Sequence, residues 1–117
     1  MNPSQRPAVA AIAASLVNGE KYYRVYDHAV GQYLEIMVDT AGGSVIAFDH
    51  GRGAHIRGAP QSVYDYGQAA HLQFKVSGAI VDGYDCGSSQ HFQAIVSDKR
   101  VDLFDYEASA YFTFQVA

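Results

Sequence analysis

Two patterns divide the chain. Residues 8 to 17, Ala8-Val9-Ala10-Ala11-Ile12-Ala13-Ala14-Ser15-Leu16-Val17, are apolar apart from one serine, and beyond residue 20 apolar and polar positions alternate in short runs. The first run is too short to cross a bilayer of about 30 Å, which takes about 20 residues, and its pattern predicts a helix. Pro7 suits the first turn, Gly19 after Asn18 is a stop, and Val9, Ile12, Leu16 and Val17 make one apolar stripe. The opposite face, Ala8, Ala11, Ala14 and Ser15, carries no charge. A solvent-facing helix normally does, so this one is expected to be covered on more than one side, by a sheet plus a second subunit in a homodimer or, in a monomer, by a sheet that curls around it. The alternative reading of the run is the apolar core of a cleaved signal peptide, preceded by Arg6.

From residue 20 onward one unit recurs five times: an aromatic residue followed by Asp, a gap, then Tyr or His and alternating apolar positions. The pairs are Tyr26-Asp27, Phe48-Asp49, Tyr64-Asp65, Tyr84-Asp85 and Phe104-Asp105, and seven residues after each aromatic stand Tyr33, His55, His71, His91 and Tyr111. With 6 Phe, 9 Tyr and nine Asp, chance places about one aromatic-Asp pair in the chain. The spacing fits a β-hairpin with its connection. Asp ends the first strand, its carboxylate accepting from turn N–H groups, and four residues form the bend.

That geometry fixes a register. The aromatic of position one faces the Tyr or His of position eight, so Val25 faces Leu34, Val63 faces Leu72 and Leu103 faces Phe112. One step further out come Arg24 with Glu35 and Asp102 with Thr113, and then Val101 with Phe114. Alternation then puts Leu34, Ile36, Val38, Leu72, Phe74, Val76, Phe92, Val96, Phe112, Phe114 and Val116 on a core face. The opposite, mostly polar face carries the ring pairs Tyr26/Tyr33, Phe48/His55, Tyr64/His71, Tyr84/His91 and Phe104/Tyr111, in a band at one height if consecutive hairpins are neighbours.

The expected fold is mainly β. A single domain spans 1–117, with an N-terminal α-helix in 1–19 and an antiparallel meander of about five β-hairpins in 20–117, closed into a barrel or folded into two packed sheets. The short first strand of the second unit, together with Pro60, marks that hairpin as the expected edge or interruption.

Tyr26-Asp27 through Phe48-Asp49, with Gly31, Asp39 and Gly42 between, resembles the YD repeats of RHS-type bacterial shell proteins. The later units lack Asp and Gly at those offsets, and no function is carried over from the resemblance.

Composition narrows the function classes. Hydrophobic residues at 49% and charged ones at 17% describe a chain with a core. The net charge of −4 is the wrong sign for broad binding to nucleic-acid backbones. The single cysteine, Cys86, leaves no internal disulfide and fits a reducing, cytoplasmic compartment.

Three chemical readings follow. In the second unit, Asp49-His50-Gly51-Arg52-Gly53-Ala54-His55-Ile56-Arg57-Gly58 gathers two Arg, two His and three Gly. Arg52 or Arg57 with glycine N–H groups could hold a phosphate or carboxylate, and the alternative is a solvated turn. His50, His55, Cys86 and His91 fall at matching positions of units two and four and would supply three nitrogens and a sulfur to zinc if those hairpins met. Otherwise no cofactor is implied.

Catalytic signals are weak: there is no Gly-x-Ser-x-Gly, and the repeated Asp already has a structural task. The leading expectation is therefore a small non-enzymatic binding module of bacterial or phage type that presents a Tyr/His band to a partner protein or polar ligand. Its candidate binding residues are Tyr26, Tyr33, His71, Tyr84, His91 and Tyr111, joined by Arg52 and Arg57. An uncharacterised small enzyme is the alternative class, and the band could instead simply cover the turn layer or pack under the helix.

Overall fold

The computed structural model describes all residues, Met1–Ala117. A 3-10 turn, Pro3–Gln5, leads into helix α1, Arg6–Asn18, with Pro7 in its first turn. Gly19, at φ 67°, ends the helix, and its N–H donates to the Ser15 carbonyl. Ten strands follow: β1 Tyr22–Asp27, β2 Gln32–Asp39, β3 Val45–Asp49, β4 Ala54–Ala59, β5 Ser62–Asp65, β6 Ala70–Ser77, β7 Ile80–Asp85, β8 Gln90–Ser97, β9 Arg100–Asp105 and β10 Ala110–Val116. Each pairs antiparallel with its sequence neighbours, and β1 also pairs with β10, closing the barrel. The fold is thus mainly β, with the hairpin meander closed rather than split into two sheets.

The expected register is the observed one. Val25 faces Leu34, Val63 faces Leu72, Leu103 faces Phe112, and Arg24 with Glu35, Asp102 with Thr113 and Val101 with Phe114 follow. Closure corrects the expectation of an edge at the second hairpin. Ala59 pairs with Ser62, so Pro60 occupies a two-residue turn between β4 and β5 where it forfeits no ladder hydrogen bond.

The helix runs inside the barrel. Ala8 through Ser15 are fully buried, and the helix contacts β1–β3 and β6–β10. The reason is geometric. Ten strands about 4.8 Å apart and tilted by about 40° close at a backbone radius of about 10 Å. A helix with Cα atoms about 2.3 Å from its axis then leaves an annulus of about 8 Å for the side chains of both layers. The strands fill it with Val25, Ile36, Val38, Ile56, Leu72, Phe92, Leu103 and Phe114, and the helix can contribute little more than methyl groups on most sides. This accounts for the alanines and for the missing charged face without a second subunit. It also makes the segment that could be read as a signal peptide the filling of the barrel.

The inward face departs from expectation at its rims. Val76, beside the Ser77–Ile80 turn, is 44% exposed, while Leu34 and Phe112 are half-buried. All three are inward by parity, but rim positions have less of the opposite wall and helix over them.

Candidate functional site

Each hairpin builds the same device at one end of the barrel. The aromatic of position one points outward and its Asp points inward. One carboxylate oxygen takes the N–H two residues on: Ala29 donates to Asp27 at 2.9 Å, Gly67 to Asp65 at 2.8 Å, Gly87 to Asp85 at 3.0 Å and Glu107 to Asp105 at 3.1 Å. In the second hairpin the contact shifts to Arg52 N–H, at 3.3 Å from Asp49. The residue of position six is left-handed in all five units: Gly31, Gly53, Ala69, Ser89 and Ser109 have φ between 51° and 66°.

The inward carboxylates have a second role that the aromatic-Asp pattern does not announce. Asp49, Asp65, Asp85 and Asp105 are buried around the mouth that receives the start of α1. Gln5 Nε2 donates to Asp65 at 2.9 Å, Arg6 Nε to Asp105 at 3.0 Å, and Ser88 Oγ to Asp85 at 2.8 Å. The Met1 amino group lies 3.4 Å from Asp105 and also meets Glu107. Negative charge at the positive end of the helix is favourable, and α1 has no acidic residue of its own in its first turn. The parity of Asp relative to the core positions was the available signal.

Arg52 is part of this ring. Its Nε donates to Asp49 at 2.7 Å and its Nη2 to Asp65 at 3.1 Å, with only 13% of its side chain exposed. Burial alone would lower the guanidinium pKa; the hydrogen bonds and charges of Asp49 and Asp65 outweigh that and raise it above the ordinary value. Arg52 thus carries two carboxylates as partners already, whereas Arg57 points outward from β4 and is exposed.

The rings form the outward belt. Their centroids lie 5.0 Å apart in Tyr26/Tyr33, 4.6 Å in Phe48/His55, 4.9 Å in Tyr64/His71, 4.9 Å in Tyr84/His91 and 4.8 Å in Phe104/Tyr111, all tilted or edge-on. A third ring joins four of the five: His28, His50, Tyr66 and Tyr106. Cys86 takes that place in the fourth unit and is exposed.

Between hairpins the register is offset: Tyr64 pairs with Arg57 rather than His55, and Tyr84 with Gln73 rather than His71. Barrel strands are tilted, so an offset of this kind keeps the rings near one height about the axis. All six aromatic candidates, Tyr26, Tyr33, His71, Tyr84, His91 and Tyr111, lie on this belt.

The proposed zinc ligands do not converge. His50 and His55 flank Phe48 on the β3–β4 hairpin, whereas His91 packs on Tyr84 in the β7–β8 hairpin, with β5 and β6 between. No group of three or more His, Cys, Asp or Glu is arranged to hold a metal ion.

Among the surface depressions of the molecule, two lie beside the belt. One, of about 560 Å³, lies across β5–β8 and is walled by Gln73, Lys75, Asp82, Tyr84 and His91. It forms where β5, only four residues long, leaves the eight-residue β6 standing beside the β4–β5 turn. The other is a notch of about 220 Å³ between His55, Arg57 and Tyr66. Both are open and polar-edged, and suit binding of groups that retain part of their hydration. The outer wall also carries the charged residues Glu35, Lys75, Asp82 and Asp102 in mid-strand.

No family model matches the chain, and no curated protein or solved structure is significantly similar to it.

Proposed function

We propose that this protein is a non-enzymatic binding module whose outward Tyr/His belt docks a partner protein or a flat polar ligand. The observation that carries the reading is the exposure of rings that are already held in place. Tyr33, Tyr66, Tyr106 and Tyr111 are 56%, 64%, 47% and 59% exposed, and each packs edge-on against a neighbouring aromatic. A ring fixed before docking loses little side-chain entropy on contact, and covering about 100 Å² of it contributes about 2 kcal/mol. The trough beside Tyr84 and His91 extends the belt toward polar ligands.

The test is capture of partners from the source cell lysate by the wild type and by a Tyr33→Ala/Tyr111→Ala variant shown to remain folded. Loss of two such rings is expected to weaken a belt partner by more than about tenfold. Retention of every partner by the variant contradicts the reading. A second copy of the chain is the other occupant that the belt suits, and light scattering giving a mass near 12.7 kDa at micromolar concentration counts against that homodimer.

A further inference from the structure

The chain has five arginines, and four of them have internal partners. Arg6 is bonded to Asp105, Arg52 to Asp49 and Asp65, and Arg100 to Asp102, while the Arg24 guanidinium lies 4.7 Å from the Tyr33 ring centroid. Arg57 has neither a carboxylate within ion-pair distance nor a ring beneath it. Its cross-strand neighbours are Ile46 on β3 and Tyr64 on β5. In a chain of net charge −4 this is a local exception.

Arg57 also lines the notch of about 220 Å³ with His55 and Tyr66. The wall of that notch is fixed by the backbone: the Tyr66 N–H donates to the His55 carbonyl at 2.9 Å, and the Tyr66 ring packs edge-on to Tyr64 at 4.8 Å. The polar ends available are a guanidinium fork, an imidazole and a phenol, each able to donate, and no carboxylate lines the notch. Beside them stand the Tyr66 ring, 64% exposed, and Ile46, 42% exposed.

From this we propose that the His55/Arg57/Tyr66 notch is an oxyanion site, taking a phosphate or carboxylate group carried on a flat apolar body. The fork pairs bidentately with two oxygens, the imidazole or phenol donates to a third position, and the Tyr66 face covers the body that bears the group. The inference rests on the belt reading and deepens it in one sector: the group is the phosphate or carboxylate of a small aryl ligand.

The experiment is a titration of the isotope-labelled full chain with phenyl phosphate, inorganic phosphate and benzoate, followed by backbone and Arg Nε–H resonances. Phenyl phosphate or benzoate is expected to shift Arg57, His55 and Tyr66 with a Kd of about 1–10 mM, and inorganic phosphate to bind at least about fivefold more weakly. Arg57→Ala is expected to abolish the shifts, Arg57→Lys to retain a weakened response, and Lys99→Ala, in the β8–β9 turn, to leave them unchanged. The Tyr33→Ala/Tyr111→Ala variant is expected to bind phenyl phosphate normally whatever happens to its partners, which separates failure of the notch from failure of the belt. Absence of shifts at these residues, persistence of the shifts in Arg57→Ala, or equal affinity for inorganic phosphate overturns the proposal.

Discussion

Replacing Arg52 with Met keeps most of the side chain's length and removes its charge from between two carboxylates. In the wild type the guanidinium reaches Asp49 at 2.7 Å and Asp65 at 3.1 Å, and the side chains are 13%, 7% and 0% exposed. Removing one partner of a buried ion pair is worth about 3–5 kcal/mol, because the charge left behind stays desolvated. Asp65 keeps hydrogen bonds from Gln5, Gly67 and Gln68, which places the expected loss near the lower end, about 3 kcal/mol.

Against a total of about 5–15 kcal/mol for a domain of this size, that corresponds to a fall in Tm of about 10–15 °C. Urea denaturation followed by circular dichroism measures it. The double variant Arg52→Met/Asp49→Asn, with one orphaned charge fewer, is expected to recover about 1 kcal/mol or more. The wild-type contribution has a defined pH window. Arg52's folded pKa is raised above its unfolded value by the two carboxylates, so its stabilisation is complete below the unfolded value and lost only as pH rises through the folded one, leaving it constant through neutral pH. A loss below about 1 kcal/mol, the range of solvent-exposed pairs, would show instead that the mouth is hydrated and that Arg52 is no buried partner of the two carboxylates.

Ala11→Leu adds a branched side chain to a fully buried helix position in a filled annulus and is expected to destabilise by about 2–3 kcal/mol in the same denaturation assay. Gly83 lies opposite Phe92, whose ring occupies the space a Cβ would take, so Gly83→Ala is expected to lose about 2 kcal/mol and Gly83→Ala/Phe92→Leu to regain part of it. Ser109 has φ 51°, a conformation glycine adopts without strain, so Ser109→Gly is expected to raise the thermal midpoint by a few degrees, about 0.5 kcal/mol or more in stability.

The strands were legible because two independent periods agree: alternation within each strand, and recurrence of the aromatic-Asp pair between hairpins. Val25 opposite Leu34 and Leu103 opposite Phe112 follow once the loop is counted as four residues. The helix was legible as a helix, but alanine is equally at home on several kinds of buried face. Only the closed circumference of ten strands puts Ala8 through Ala14 in the lumen.

Position six announces its left-handed backbone through Gly31 and Gly53 but not through Ala69, Ser89 or Ser109, where the Asp cap and the strand register impose the conformation. Arg52 and Arg57 look alike in the sequence. What separates them is parity: Arg52 sits in the bend beside inward Asp49 and Asp65, while Arg57 lies on the outward face of β4.

The belt is tested most directly by where a partner touches the barrel. A photo-crosslinking phenylalanine analogue is placed one position at a time at Tyr33, Tyr66, Tyr106 and Tyr111 on the belt, and at Ile80, Ile95 and Lys99 away from it. Each folded variant is then irradiated with a partner captured by the wild type. Crosslinked product is expected from adjacent belt positions and none from the other three, whereas crosslinks confined to Ile80, Ile95 and Lys99 would mean that partners dock elsewhere on the barrel.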